Sequence, residues 1–250
     1  MHPGFNIEPI WLNYRGSFIS CDRWSTSGQI GEVLLLHGGG QSNKEGFNMF
    51  RKIMLYFGYG SLSLDFIGHG ETGGNLTGYS LQDRLNQAVL LLESFYSTKI
   101  INSLNIIGFS MGAYIATLLT NKFSVERLGL IIPAMYSPLV FNIPFGPHFS
   151  KAIRAERSWY HSDGFDIIHN FNGNLLIVSA EKDEVIPREI PYKLFSEAQS
   201  TKWKHHHIIP DGTHDLERLK THSPEKRYSL LHSIFYLFMV NNQTPIKDIS

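Results

Sequence analysis

The sequence predicts an α/β fold: a mostly parallel, eight-stranded sheet with helices on both faces, an antiparallel hairpin at the N-terminus and a small cap insertion. Three observations predict it. From Val33 onward short apolar runs alternate with helical patterns, as parallel strands joined by crossover helices require. The run VLLLHGGG is apolar throughout and ends in glycines, which suits a strand buried on both faces. The chain opens differently, with two strand-like runs separated by Arg15-Gly16, the pattern of a hairpin.

The elements follow in order. Phe5 to Tyr14 and Ser17 to Ser25 form the hairpin, and VLLL is the next strand. Ser42-Asn43-Lys44-Glu45 has capping-box spacing and opens a helix that Gly58 stops. SLSLDF is a strand. Ser80-Leu81-Gln82-Asp83 caps a helix whose buried stripe is Leu81, Leu85, Ala88, Leu92 and Phe95. LNIIGF is a strand, and MGAYIATLLTNKF after it is a good helix former. LGLIIP and LLIVSA are strands, Pro187 starts a helix over Lys193 to Ala198, TKWKHHHII is the last strand, and Pro224 to Val240 the last helix. Residues 133–172, between two core strands, are too long for an ordinary connection. Four prolines break the first half of this segment, and its apolar residues suit a small cap.

Composition excludes several classes. The chain has 250 residues, enough for a large core in a single domain over 1–250. Lys plus Arg and Asp plus Glu both number 22, with no long basic run, so neither nucleic acid nor an anionic membrane is expected as a partner. No apolar stretch reaches membrane-spanning length, and the first residues lack a basic start followed by an apolar core. The single Cys21 cannot form an internal disulfide. Together these point to a soluble cytoplasmic protein.

Gly108-Phe109-Ser110-Met111-Gly112 reads G-x-S-x-G where a strand pattern gives way to a helix. That context suits a nucleophile elbow: a sharp turn holds the Ser110 hydroxyl clear of the backbone, and flanking glycines make room. A neutral serine needs a base within hydrogen-bond reach, and histidine titrates near physiological pH. His214 lies in the turn-rich PDGTHDL after the last strand, and Asp183 in AEKDEVIP after the strand LLIVSA. In a parallel sheet both sites share the rim that carries Ser110. The order Ser110, Asp183, His214 fits a triad in which the acid orients the histidine. Glu181, Glu184 and Asp215 are the competing carboxylates. His37-Gly38-Gly39-Gly40 follows a strand with little side chain in the way, so Gly39 and Met111 are the expected N–H donors to an oxyanion. The alternative for these glycines is a simple tight turn.

These motifs resemble those of the α/β-hydrolases. LDFIGHGETGG, HG at the end of the third strand and GFSMG are similar to the monoacylglycerol-lipase and serine-aminopeptidase branch, and the likeness spans nearly the whole chain. Phe109 stands where hormone-sensitive-lipase-like esterases carry an acidic residue. Serine at 110 separates the chain from the dehalogenase and epoxide-hydrolase branches, whose nucleophile is aspartate. The resemblance implies a serine hydrolase. The expected reaction is cleavage of a carboxylic ester or thioester of a hydrophobic small-molecule or carrier-borne acyl substrate, with no cofactor. The alternatives are an amidase or peptidase, an acyltransferase using the same triad, or a non-catalytic ligand receptor on a hydrolase fold. Met135, Tyr136, Phe141, Phe145 and Phe149 of the cap are the expected substrate-binding residues.

The remaining polar residues carry structural expectations. Asp65 is a hydrogen-bonding loop anchor, and His69 and Glu71 of the GHG loop have structural or rim roles. His205, His206 and His207 alternate across a strand, so at most His205 and His207 act together. No metal site is expected there.

Overall fold

The computed structural model describes residues 4–96, 104–217 and 223–239. One eight-stranded sheet organises them, in the order β1-β2-β4-β3-β5-β6-β7-β8. The strands are β1 (Phe5–Tyr14), β2 (Ser17–Thr26), β3 (Gly31–Leu36), β4 (Tyr59–Leu64), β5 (Leu104–Phe109), β6 (Val125–Ile131), β7 (Asn174–Ala180) and β8 (Trp203–Ile209). β2 is antiparallel to both neighbours, β1 and β4, and all other pairings are parallel. The expected architecture is therefore the observed one. Its consequence is positional: the C-terminal ends of β3, β5, β7 and β8 share one edge.

Alternate strand residues feed two cores, because a strand's side chains point to opposite faces. Val33, Leu35, Ile107, Leu176 and Val178 pack under α1 (Asn48–Tyr56) and α7 (Pro224–Met239). Leu34, Leu36, Ile106, Leu175 and Ile177 pack under α2 (Leu81–Tyr96), α3 (Met111–Leu119) and α6 (Glu189–Glu197). All five residues of the expected α2 stripe are buried. At its start Ser80 N–H and Oγ both donate to Asp83, a capping box with Asp in the usual Glu position.

Local differences have local reasons. Asn43, not Ser42, caps the turn before α1; its side chain accepts from Gly46 N–H. A 3-10 turn over Lys44–Phe47 precedes the helix. β6 begins three residues before the run LGLIIP, because Val125 and Arg127 alternate inward around exposed Glu126. α3 stops at Leu119, before the expected end of its helix-forming stretch. α6 begins at Glu189, with Pro187 in the turn before it. Val240, the expected end of the last helix, lies outside the described residues.

Between β6 and β7 run a 3-10 turn (Pro138–Val140), α4 (Pro147–Ile153) and α5 (Gly164–Asn170). This insertion is tied to the body. Gln82 N–H donates to Phe141 O, Phe145 N–H to Tyr79 O, and the buried Tyr114 hydroxyl to Asp163 at 2.7 Å.

Candidate active site

Ser110 sits between β5 and α3 with φ 51° and ψ −116°. That left-handed conformation costs a non-glycine residue roughly 1–3 kcal/mol, so the surroundings must impose it. Both neighbouring glycines are required by close approach. A Cβ on Gly108 would meet the Gly112 carbonyl and lie 2.6 Å from Ala113 Cα; one on Gly112 would meet the Leu36 carbonyl and lie 2.7 Å from that of His37. The turn is pinned by Ser110 N–H to Ile131 O (2.9 Å) and by Ala134 N–H to Ser110 O (3.1 Å). The end of β3 thus presses directly on the first turn of α3.

Two loops on the same edge are laced together and bring the other groups in. Glu181 N–H donates to Ile209 O and Lys182 N–H to Gly212 O, joining the segment after β7 to the one after β8. Glu181 also accepts from Asp211 N–H at 2.8 Å. His214 Nε2 then lies 3.1 Å from Ser110 Oγ, and its Nδ1 lies 2.9 Å from Asp183 Oδ2. With Nδ1–H donating to the carboxylate, Nε2 is free to accept the serine proton. Burial pushes the Asp183 carboxyl up, but His214 and the N–H groups of Ile186 and Val185 outweigh it, leaving Asp183 below the usual carboxylate range. Among the competing acids, Glu181 staples the loop, while Glu184 and Asp215 are exposed. Only Asp183 of the four hydrogen-bonds His214.

The glycine turn after β3 adjoins the elbow: a Cβ on Gly39 would lie 3.5 Å from Met111 Cε. Met111 opens α3, so its N–H has no partner within that helix. Beneath the turn lies a buried polar layer. His37, fully buried, donates from Nδ1 to Gly38 O (2.8 Å) and accepts Phe66 N–H at Nε2 (3.1 Å). Burial holds its pKa well below the free imidazole value. Arg84 Nη1 donates to the same Gly38 carbonyl at 3.0 Å. His69 donates from Nδ1 to Ser42 O (3.0 Å) and accepts from Arg84 at Nε2. Burial, then the neighbouring Arg84 charge, bring His69 down to about 4. Asp65, fully buried, receives Lys44 N–H and Nζ and Glu71 N–H. It is the anchor of the GHG loop.

Of the expected cap residues, Met135, Tyr136, Phe145 and Phe149 are buried and Phe141 is half-buried. Tyr136 and Phe141 meet the Tyr114 ring edge-on, and Phe149 packs on Tyr136 and Phe145. A cavity of about 150 Å³ opens beside Asp183, lined by Ile132, Pro133, Ser179, Ile186 and Tyr192 among others. The rings of His205 and His207 stack 6.2 Å apart on one face of β8, while His206 turns to Ser179. Among the described residues no cluster of three His, Cys, Asp or Glu side chains is arranged to hold a metal. None of their helices is long and apolar enough to cross a membrane.

Sequence reasoning did not single out Arg84 or the buried Lys44. Arg84 had a signal: three residues after Leu81 and four before Ala88, it falls on the buried stripe of α2. An arginine at such a position marks a buried polar task. Lys44 had none, because its partners Asp65 and Glu71 meet it only in three dimensions.

Comparisons with known proteins agree with this architecture. Residues 33–204 match the model of the alpha/beta hydrolase family. Among solved structures the chain resembles Est1E from Butyrivibrio proteoclasticus, seen with ferulic acid bound, at 16% identity, TM-score 0.68 and coverage of 92% of this chain and 99% of that one. It also resembles esterase Pf2001 from Pyrococcus furiosus, at 17% identity, TM-score 0.67 and coverage of 94% and 92%. The thioesterase domain from the curacin biosynthetic pathway is similar at 16% identity, TM-score 0.64 and coverage of 92% and 99%. No curated protein matches significantly. With the family model spanning most of the chain, from β3 into β8, this protein belongs to the alpha/beta hydrolase family.

Proposed function

We propose that the chain is a serine hydrolase that cleaves a carboxylic ester or thioester of a hydrophobic substrate through an acyl-enzyme. The observation that carries the reading is the continuous hydrogen-bonded path from Ser110 Oγ through the His214 ring to Asp183. Ser110 Oγ attacks the acyl carbonyl as its proton passes to His214 Nε2. Asp183 holds the tautomer and stabilises the imidazolium. The N–H groups of Gly39 and Met111 receive the oxyanion. Collapse of the tetrahedral intermediate breaks the bond to the alcohol or thiol, which takes the proton from His214. Water, deprotonated by His214, then attacks the acyl-serine and releases the acid and Ser110. The cycle uses only groups of the chain and water.

Met135, Tyr136, Phe141, Phe145 and Phe149 form the apolar wall in this reading. Because four of them are already packed, acyl groups of short to medium length are the expected substrates. The likeness to esterases and a thioesterase agrees with either leaving group, and a carrier-borne acyl group fits the thioester case. A fluorophosphonate probe tests the reading. Labelling that Ser110→Ala abolishes, with hydrolysis of p-nitrophenyl esters or acyl-CoAs above the Ser110→Ala blank, is the expected result. Turnover confined to aminoacyl amides, or to acyl transfer, would redirect it. A folded protein that neither labels nor turns over would make it a ligand receptor on a hydrolase scaffold.

A further inference from the structure

Two buried donors converge on one carbonyl beside the elbow. Arg84 Nη1 and His37 Nδ1 both donate to Gly38 O, at 3.0 and 2.8 Å. None of the described peptide bonds is cis, so the N–H of Gly39 points opposite to that carbonyl. Holding the carbonyl inward therefore holds the amide outward. Neither Gly38 nor Gly39 has a side chain to fix this plane, and the hydrogen bond from Ser42 N–H to Gly39 O, 3.3 Å long, holds the next peptide, Gly39–Gly40.

Arg84 is well built for the task. It is 2% exposed, and its guanidinium is gripped between the Phe66 and Phe145 rings at 4.8 and 5.1 Å. Nη2 donates to His69 Nε2, whose opposite nitrogen donates to Ser42 O. Arg84 and His69 thus clamp both ends of the glycine turn, Gly38 and Ser42. A leucine at 84 would continue the stripe of Leu81, Leu85 and Ala88 without burying a cation. Charge-assisted donation to a peptide carbonyl also polarises that peptide, making its N–H a stronger donor.

We propose that Arg84 is a positioning residue for the oxyanion hole: through the Gly38 carbonyl it aims and polarises the Gly39 amide. This rests on the serine-hydrolase reading above. Arg84 acts through the peptide and does not touch the substrate.

The test compares wild type, Arg84→Met and Arg84→Lys as full-length proteins, with active sites titrated by the fluorophosphonate. Readouts are kcat and KM on a short p-nitrophenyl ester, Ki for a trifluoromethyl ketone that forms a tetrahedral oxyanion, and Tm. For Arg84→Met the expected result is a 10- to 100-fold loss of kcat per titrated site, KM within about 3-fold, and weakening of the ketone by the same factor as kcat/KM. Arg84→Lys retains a cation without the planar fork and should recover part of both. A merely structural role would lower Tm and the titrated fraction, leaving kcat per site and ketone affinity unchanged; that result overturns the proposal. If Arg84→Met does not fold, the same comparison on Arg84→Lys decides, and wild-type kcat and ketone affinity there overturn it. An unlabelled, inactive wild type defeats the hydrolase reading and this proposal with it, whereas an active wild type with unaffected variants defeats this proposal alone.

Discussion

Gly108→Ala is the sharpest single perturbation of the elbow. The new methyl would lie 2.6 Å from Ala113 Cα and collide with the Gly112 carbonyl, both backbone atoms of α3. Carbon atoms in contact rest about 3.5–4.0 Å apart, so β5 and α3 must separate by about 1 Å. No side-chain rotation relieves this. Overpacking of this kind costs about 1–3 kcal/mol. The displaced atoms are those that set Ser110 against His214, and a misplacement of about 1 Å in such a constellation costs about 100-fold in rate. Urea unfolding followed by circular dichroism gives the stability change, and kcat/KM on a short p-nitrophenyl ester gives the activity change. Gly78→Ala is the matched control, because nothing lies within 4 Å of its added methyl. Gly108→Ala should lose both stability and rate while Gly78→Ala keeps both. Wild-type midpoint and wild-type kcat/KM in Gly108→Ala would refute the claim that close approach dictates this glycine.

Two further predictions concern charge. Asp183→Asn keeps the shape of the carboxylate but allows the wrong His214 tautomer, so kcat should fall by about 10⁴ with little change in KM; steady-state kinetics of the purified variant checks this. His69 stays neutral in the fold down to about pH 4, against 6.5 for a free imidazole. Between those values the unfolded chain binds the extra proton, so stability falls as pH falls from 6.5 to 4, by up to about 3 kcal/mol. His37 is shifted in the same direction and adds to the loss. Urea midpoints at pH 7, 5.5 and 4.5 should drop progressively, and His69→Gln, which keeps an acceptor for Arg84 without titrating, should flatten the curve. An identical pH profile in the variant would show that His69 does not carry the effect.

The legible part of the site was the part encoded in local pattern. Ser110 is announced by two glycines at a strand-to-helix junction, and the structure supplies the close contacts that make each glycine necessary. His214 and Asp183 follow from strand ends on a common edge. The sequence left Glu181, Glu184 and Asp215 as competitors because side-chain direction in a loop depends on the partner loop. It took the lacing of 181–182 to 209–212 to turn Asp183 inward.

The sequence by itself determined the parallel sheet, the hairpin, the α2 stripe and the elbow, because hydrophobic periodicity and glycine placement act over a few residues and survive without knowledge of the fold. Tertiary structure alone decided which carboxylate meets His214, that Lys44 is buried on Asp65, and that Arg84, His37 and His69 converge beneath Gly38. Those contacts join residues as many as 46 positions apart, as Arg84 and Gly38 are. Their energies come from desolvation and hydrogen-bond direction, which exist only once the sheet has brought the chain segments together.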